Sequence, residues 1–406
     1  MKTRALNIFR LCKLSRNYLE GKSEFEFNAT DAKCMTIDDQ EQFEDALDRF
    51  MQLKVAEGLS QEFVLITIRR VLISRKNDND IDYNLRIEEF VRIINSLEMK
   101  KHKVIKVVHG VNLSDSTDPM EFENLTIYDL PRHKEQVSSL FDSEFEVKHK
   151  YNQDYDLVAI ECLIDAKDHW KALELSNSMF NKFELLLAFL LNEKYMDYSV
   201  GVLRVNFKPY QDAVINFDGG VISGDEKNNG FISSLDVSTL NSLLPREYTD
   251  FYDSLVRIAL TPTTSFDRKM ASAIEWLGES YMDTNKASAY LKAVIALEAL
   301  LKLDEKGVIT ASVMSSIAEQ CAFLHGNTVD ERINVEKKVK ELYSERSKIA
   351  HTGTNSVSPK KLRVVREFVA LTILRLIAVT VKLALKKPDD FQLLLRKKKY
   401  EGDCFH

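Results

Sequence analysis

Glycine and proline are scarce in this chain, 13 and 7 of 406 residues, which argues against extended linkers and low-complexity segments. The five cysteines, Cys12, Cys34, Cys162, Cys321 and Cys404, lie far apart, are odd in number and show no CxxC spacing. They argue against a disulfide scaffold and a zinc ribbon, and a reduced, cytoplasmic compartment is expected. Long apolar runs are missing as well. Even Pro359 to Leu385, the most apolar stretch, is interrupted by Arg363, Arg366, Arg375 and Lys382, short of the about 18 residues that suggest a membrane span. Ala5 to Phe9 is too short for a signal peptide. A soluble protein with no membrane role is expected.

Familiar catalytic signatures are lacking too. The chain has no P-loop, no GxGxxG at a strand–helix turn, no HExxH and no GxSxG. Asp78, Asp80 and Asp82 alternate as in a calcium loop, but without the glycine and closing glutamate of an EF-hand. They read as a solvated acidic turn. His102 and His109 flank a strand-like segment and read as packing or surface residues. No metal and no cofactor is expected.

What is present is a 45% hydrophobic composition, enough for a large core, and a length that suggests two domains. Residues 1–260 alternate between helical and strand patterns. Gln42 to Leu59, Arg86 to Met99 and Trp170 to Leu191 read as helices, the last apolar on most sides. The β-branched runs Phe63 to Ile68 and Val71 to Ser74 read as strands, as do Val104 to Val108, Leu125 to Tyr128, Leu157 to Leu163, Val200 to Phe207 and Ala213 to Phe217. Asp218-Gly-Gly and Gly224 to Gly230 read as a hairpin or surface loop. Together they predict an α+β N-terminal domain.

After Leu260 the pattern changes. Thr261 to Ser265 offers a loop and a helix cap, and no strand follows. Helices are predicted over Met270–Tyr281, Ala287–Leu303, Ala311–Leu324, Glu331–Ala350 and Pro359–Leu385, the last opened by Ser358 and Pro359. Five helices in this order predict an all-α bundle, residues 266–386. Residues 387–406, with Arg396-Lys-Lys-Lys399, read as a solvated basic tail. Charge divides along the same line. From Phe266 onward 24 Lys and Arg face 18 Asp and Glu, or +6, while the preceding residues carry 32 against 44, or −12. An anionic partner is plausible for the C-terminal third.

Within that third lies Tyr343-Ser-Glu-Arg346-Ser-Lys-Ile-Ala-His351-Thr-Gly353. Arg346 is a permanent cation able to hold a phosphate bidentately, and His351 carries an imidazole, the side-chain type suited to moving a proton. Those are the two groups needed to cleave an RNA backbone without a metal. Gly353 is a natural C′ residue, so His351 falls at a helix C-terminus. Five residues correspond to about 140° around a helix, so the two side chains share no face. They converge only if the helix distorts between them or a second subunit completes the site.

These residues resemble the Apea-like branch of the HEPN superfamily over Phe266 to Leu385. The resemblance lies in the first helix around Trp276, the second helix Tyr290-Leu-Lys-Ala-Val-Ile-Ala-Leu-Glu298-Ala-Leu-Leu301, the segment Leu342 to Gly353 and the long last helix. It implies a HEPN bundle that dimerises and places two Arg/His pairs in a shared cleft, as in prokaryotic anti-phage defence ribonucleases. Arg346 would grip the scissile phosphate, His351 would transfer the proton, and the product would end in a 2′,3′-cyclic phosphate. Glu298 would orient Arg346, while Lys348 and Tyr343 would line the cleft. The substrate would be tRNA or mRNA, and residues 1–260 would sense an unknown trigger. Active members often carry Asn, Asp or His after the arginine, where this chain has Ser347, and that departure leaves open a non-catalytic module that binds RNA or a protein.

Overall fold

The computed structural model describes residues 1–15, 32–74, 83–114, 118–129, 132–133, 136, 158–198, 200–202, 209–215, 221–228, 234–302, 313–352 and 357–401. Asp78, Asp80, Asp82, Asp218-Gly-Gly, Gly230, Gly353 and Cys404 lie outside them, as do 203–207 of the expected strand at Val200. The architecture is α+β followed by a helical C-terminal region. The chain forms two compact units, one of Met1–Val104 with Cys162–Ser178, the other of Ile105–Glu161 with Met179–His406. The second unit contains residues on both sides of Leu260.

The first unit opens with α1 (Lys2–Phe9), the strand pair β1 (Cys12–Leu14) and β2 (Met35–Ile37), and α2 (Gln40–Met51). Asp39 caps α2 by accepting from the Gln42 amide. Then come α3 (Gln61–Ser74) and α4 (Tyr83–Asn95). Here the expected strands at Phe63 and Val71 are corrected: both lie within the one helix α3. Val64, Ile68, Val71 and Leu72 recur at helical spacing and are fully buried against Phe9, Phe50 and Phe90. The apolar face decided the outcome, because β-branched preference is weaker than burial in a core.

Next are β3 (Lys100–Val108), β4 (Val111–Asn112), β5 (Met120–Phe122), β6 (Leu125–Asp129) and β7 (Val158–Ala166), with the sheet order β3-β7-β6-β5. α5 (His169–Leu191) leads to β8 (Pro209–Ile215) and β9 (Val221–Asn228), an antiparallel pair. Gly224 therefore belongs to a strand of this pair, as in the hairpin reading and not the surface-loop one. Val200 to Val202 form no strand; Gly201 makes only an isolated bridge to His109. β10 (Leu235–Asp236) pairs with β4, and α6 (Tyr252–Leu260) leads into the helical region.

That region comprises α7 (Ser265–Met282), α8 (Lys286–Leu301), α9 (Val313–His325), α10 (Val329–Thr352), α11 (Pro359–Leu383) and α12 (Pro388–Glu401). Its central member is α8, which touches α7, α9, α10 and α11. Its sequence is apolar almost all round, with Tyr290, Val294, Leu297 and Leu300 buried. Ser358 caps α11 through the Lys361 amide, with Pro359 in the first turn, as the sequence predicts. Arg366 of α11 is buried. It donates to Ser280 Oγ at 3.0 Å and to the Ser280 carbonyl, meets Glu193 at 3.2 Å and stacks over Tyr281. No single helix among the described residues is long and apolar enough to cross a membrane.

Of the residues expected to form a solvated tail, Pro388–Glu401 instead form α12. Phe391 and Leu395, one turn apart, are buried, and Phe391 lies 6.0 Å from Phe266. Asp390 accepts from the Lys386 and Lys387 amides at its start. Two apolar residues at i and i+4 suffice to dock a short helix on a preformed surface.

The α6–α7 junction is held by Asp267. Its carboxylate accepts from Arg257, from the Thr263 amide and hydroxyl and from the Thr264 amide, and Thr264 closes a capping box. Burial raises the pKa of this side chain, but the bonds from Arg257, Thr264 and Thr263 outweigh it and hold the carboxyl at about 2, against an ordinary 3.8. The folded value lies below the unfolded one, so the stabilisation is present above about pH 4 and drains away as pH falls toward 2. Asp267→Asn should therefore cost about 2 kcal/mol at pH 7 and close to nothing at pH 2, measured by urea unfolding across that range.

Candidate functional site

The candidate site grows from one continuous helix. Between Val329 and Thr352 α10 runs without a break. It is fixed by Val339, Leu342 and Ile349, which are buried, and by the Tyr290 hydroxyl of α8 donating to the Leu342 carbonyl at 3.2 Å. These anchors leave Lys340, Ser344, Ser347, Lys348 and His351 exposed.

Arg346 turns toward α8. Its Nε lies 3.9 Å from Glu298 Oε1, an ion pair beyond hydrogen-bond reach, with the arginine side chain 39% and the glutamate 24% exposed. Tyr343 sits beside them, half-buried, its hydroxyl buried and without regular hydrogen-bond geometry to any described residue. Burial first, then the Glu298 carboxylate, pushes the phenol well above its ordinary value, while Arg346 opposes the shift. Glu298, Tyr343 and Arg346 are thus one electrostatic cluster, and Tyr343 stays protonated throughout the working range.

Next to this cluster opens a groove of about 620 Å³, lined by Met314, Lys340, Tyr343, Ser344, Arg346, Ser347 and Lys348. Three lining residues, Met314, Lys340 and Ser344, were missed by sequence reasoning. Lys340 and Ser344 precede Ser347 by seven and three residues, and that helical spacing is the signal that could have found them. Lys340 also pairs with Glu336 at 3.4 Å.

His351 does not line this groove. By helical rotation it shares an arc of about 60° with Lys340, Ser344 and Ser347, one turn beyond Ser347. Arg346 lies about 140° round the axis and about 7.5 Å along it. Since α10 neither ends nor distorts between them, the two side chains of one chain diverge. The structure brings Arg346, Glu298, Tyr343, Ser347 and Lys348 to one region and leaves His351 at its end, facing solvent.

The other histidine of the helical region has a different role. His325 stacks on Phe368 with ring centroids 4.8 Å apart and bonds Thr372 Oγ1 at 2.8 Å. Burial, then Arg375 and Lys338, drives its pKa down to about 3. It is a neutral, partly buried packing residue, so of the two histidines among the described residues of this region His351 is the exposed one. No family model matches the chain, and no curated protein and no solved structure matches it.

The chemistry open to this arrangement follows from its residues. A guanidinium beside one carboxylate keeps donors for a phosphate, because Glu298 comes no nearer than 3.9 Å, beyond hydrogen-bond reach. Lys340 and Lys348 add positive charge along the groove. An exposed imidazole, that of His351, stands at the helix end.

Proposed function

We propose that this chain is an endoribonuclease of HEPN type that cuts RNA, either tRNA or mRNA, in the cytoplasm as part of a prokaryotic anti-phage defence system of abortive-infection or toxin kind. The observation that carries the reading is the Arg346–Glu298 pair beside a cationic groove, with solvent-facing His351 on the same unbroken helix.

In this reading the residues from Phe266 to Leu385 form the HEPN bundle, and two copies meet so that Arg346 of one faces His351 of the other. α8 supports such a meeting. Leu291, Ile295 and Ala299 are only partly buried and recur along the helix near Glu298, an apolar stripe suited to a second copy. Arg346 binds the scissile phosphate. His351 either accepts the proton of the ribose 2′-hydroxyl, whose oxygen attacks phosphorus, or gives a proton to the leaving 5′ oxygen, with water as the other proton partner. The bond to the 5′ oxygen breaks, and that oxygen leaves as a hydroxyl. The products are a 2′,3′-cyclic phosphate and a free 5′-hydroxyl. The nucleophile belongs to the RNA and the arginine neutralises the phosphate, so this route requires no metal-bound water. The acidic N-terminal residues hold the nuclease in check until a trigger arrives.

Ser347 favours a second reading, a HEPN module that binds RNA or a protein without cutting. End-labelled RNA incubated with the purified chain in EDTA separates the two. The enzyme yields fragments ending in 2′,3′-cyclic phosphate, which acid or phosphatase treatment reveals. Intact RNA in a shifted band would leave only the binding module.

A further inference from the structure

The last helix carries a second feature that the site does not use. α12 bends by 91° from α11 and is fastened from one side only. Phe391 and Leu395 are buried, Gln392 donates to Gln320 at 2.8 Å, and Lys399 pairs with Glu319. The opposite side presents Leu393, 56% exposed, Tyr400, 79% exposed, and between them Arg396 and Lys397, both exposed. Positions 393, 396, 397 and 400 fall within an arc of about 100°, one face of the helix. Neither Arg396 nor Lys397 makes an ion pair among the described residues.

The fastened side of α12, next to this face, is tied to the groove through a short chain of charges. Lys399 is held charged by Glu319 first, and Glu336 acts on it too. Glu336 in turn pairs with Lys340, which lines the groove. The cations of α12 and of α10 therefore belong to one neighbourhood, shared with α9.

From this arrangement we infer that the outer face of α12 is an accessory binding surface for single-stranded RNA, with Arg396 and Lys397 on phosphates and Tyr400 stacking on a base. The inference rests on the RNA reading of the groove. Two unpaired cations complement a polyanion, and an exposed aromatic beside them supplies the sequence-tolerant stacking that single strands use. A membrane surface fits less well, because an interfacial helix needs a broad apolar face to bury and this one offers Leu393 and Tyr400 alone.

The experiment uses the full chain and a fluorescein-labelled 2′-O-methyl oligonucleotide, which cannot be cleaved through its 2′ oxygen. Affinity is read by fluorescence anisotropy over a series of salt concentrations. R396E/K397E should weaken binding at least about tenfold and flatten the slope of log affinity against log salt by about 1.4, two phosphates at about 0.7 each. Y400A should weaken binding about tenfold and leave the slope unchanged. Helix content by circular dichroism should match the native chain in both variants, since all three side chains face solvent.

Native affinity in the double variant, from a protein that still cuts RNA, overturns this inference and leaves the active-site reading standing. Failure of the native chain to bind the oligonucleotide overturns both. Loss of sedimentation with phosphatidylserine vesicles, at unchanged RNA affinity, overturns the inference in favour of a membrane surface.

Discussion

Arg346→Ala and His351→Ala should each lower RNA cleavage about a thousandfold, the range expected for removing a phosphate-binding cation or a general base. Mixing the two inactive proteins should bring activity back. Arg346 and His351 point about 140° apart on an unbroken helix, so one chain cannot close both on the same phosphate. In a dimer that joins Arg346 of one copy to His351 of the other, a mixed dimer has one intact site and one site lacking both groups. Random exchange makes half the dimers mixed, and about a quarter of native activity should return. An inactive mixture, despite subunit exchange shown by differently tagged copies, would sink the shared-site geometry. Full activity in either single variant would sink the nuclease assignment itself. Glu298→Gln should have a smaller effect, because Glu298 approaches Arg346 no nearer than 3.9 Å.

The second large effect is on stability. Gly278 of α7 lies against the backbone of α5 so closely that a Cβ there would come within 2.5 Å of the Leu185 carbonyl oxygen and 3.1 Å of its carbonyl carbon and Cα. Those are backbone atoms of a helix whose neighbouring side chains are buried, and they have no room to yield. Helix propensity alone would make Gly278→Ala more stable by about 1 kcal/mol. The crossing reverses the sign. Gly278→Ala should cost about 2 kcal/mol and Gly278→Val about 4, because added volume in a packed interface forces the backbones apart. Urea unfolding followed by tryptophan fluorescence reads the change directly, since Trp276 lies two residues away on the same helix. A Gly278→Ala protein that unfolds at higher urea than the native chain would show that the helices separate freely. The loss should also lower cleavage, since α7 packs along α8, which carries Glu298.

How much of this was legible beforehand differs from element to element. The helices between Ser265 and Leu383 could be read off, because they carry long apolar-rich helical patterns and several have explicit starts, as at Thr264 and Ser358. The segment Gln61–Ser74 could not. Its Val and Ile content speaks for strand, and only the aromatic core of Phe9, Phe50 and Phe90 makes its helical face the better burial. α12 was hidden for a related reason: Phe391 and Leu395 are too few to announce a helix, and they become one when Phe266 and α9 supply the surface. Gly278 offered no local signal of a close helix crossing.

For the site, composition and spacing alone placed a cation and a titratable imidazole five residues apart at the end of a helix in the basic third of the chain. Those facts are local, and a 3.6-residue period determines them. Tertiary structure decided the rest. It set Glu298 of α8 beside Arg346, half-buried Tyr343 next to them, drew Lys340 and Ser344 into the groove and stacked His325 on Phe368. It also kept α10 straight through Arg346 and His351. Contacts between helices distant in sequence depend on which faces the core buries, and no window of residues along the chain contains that information.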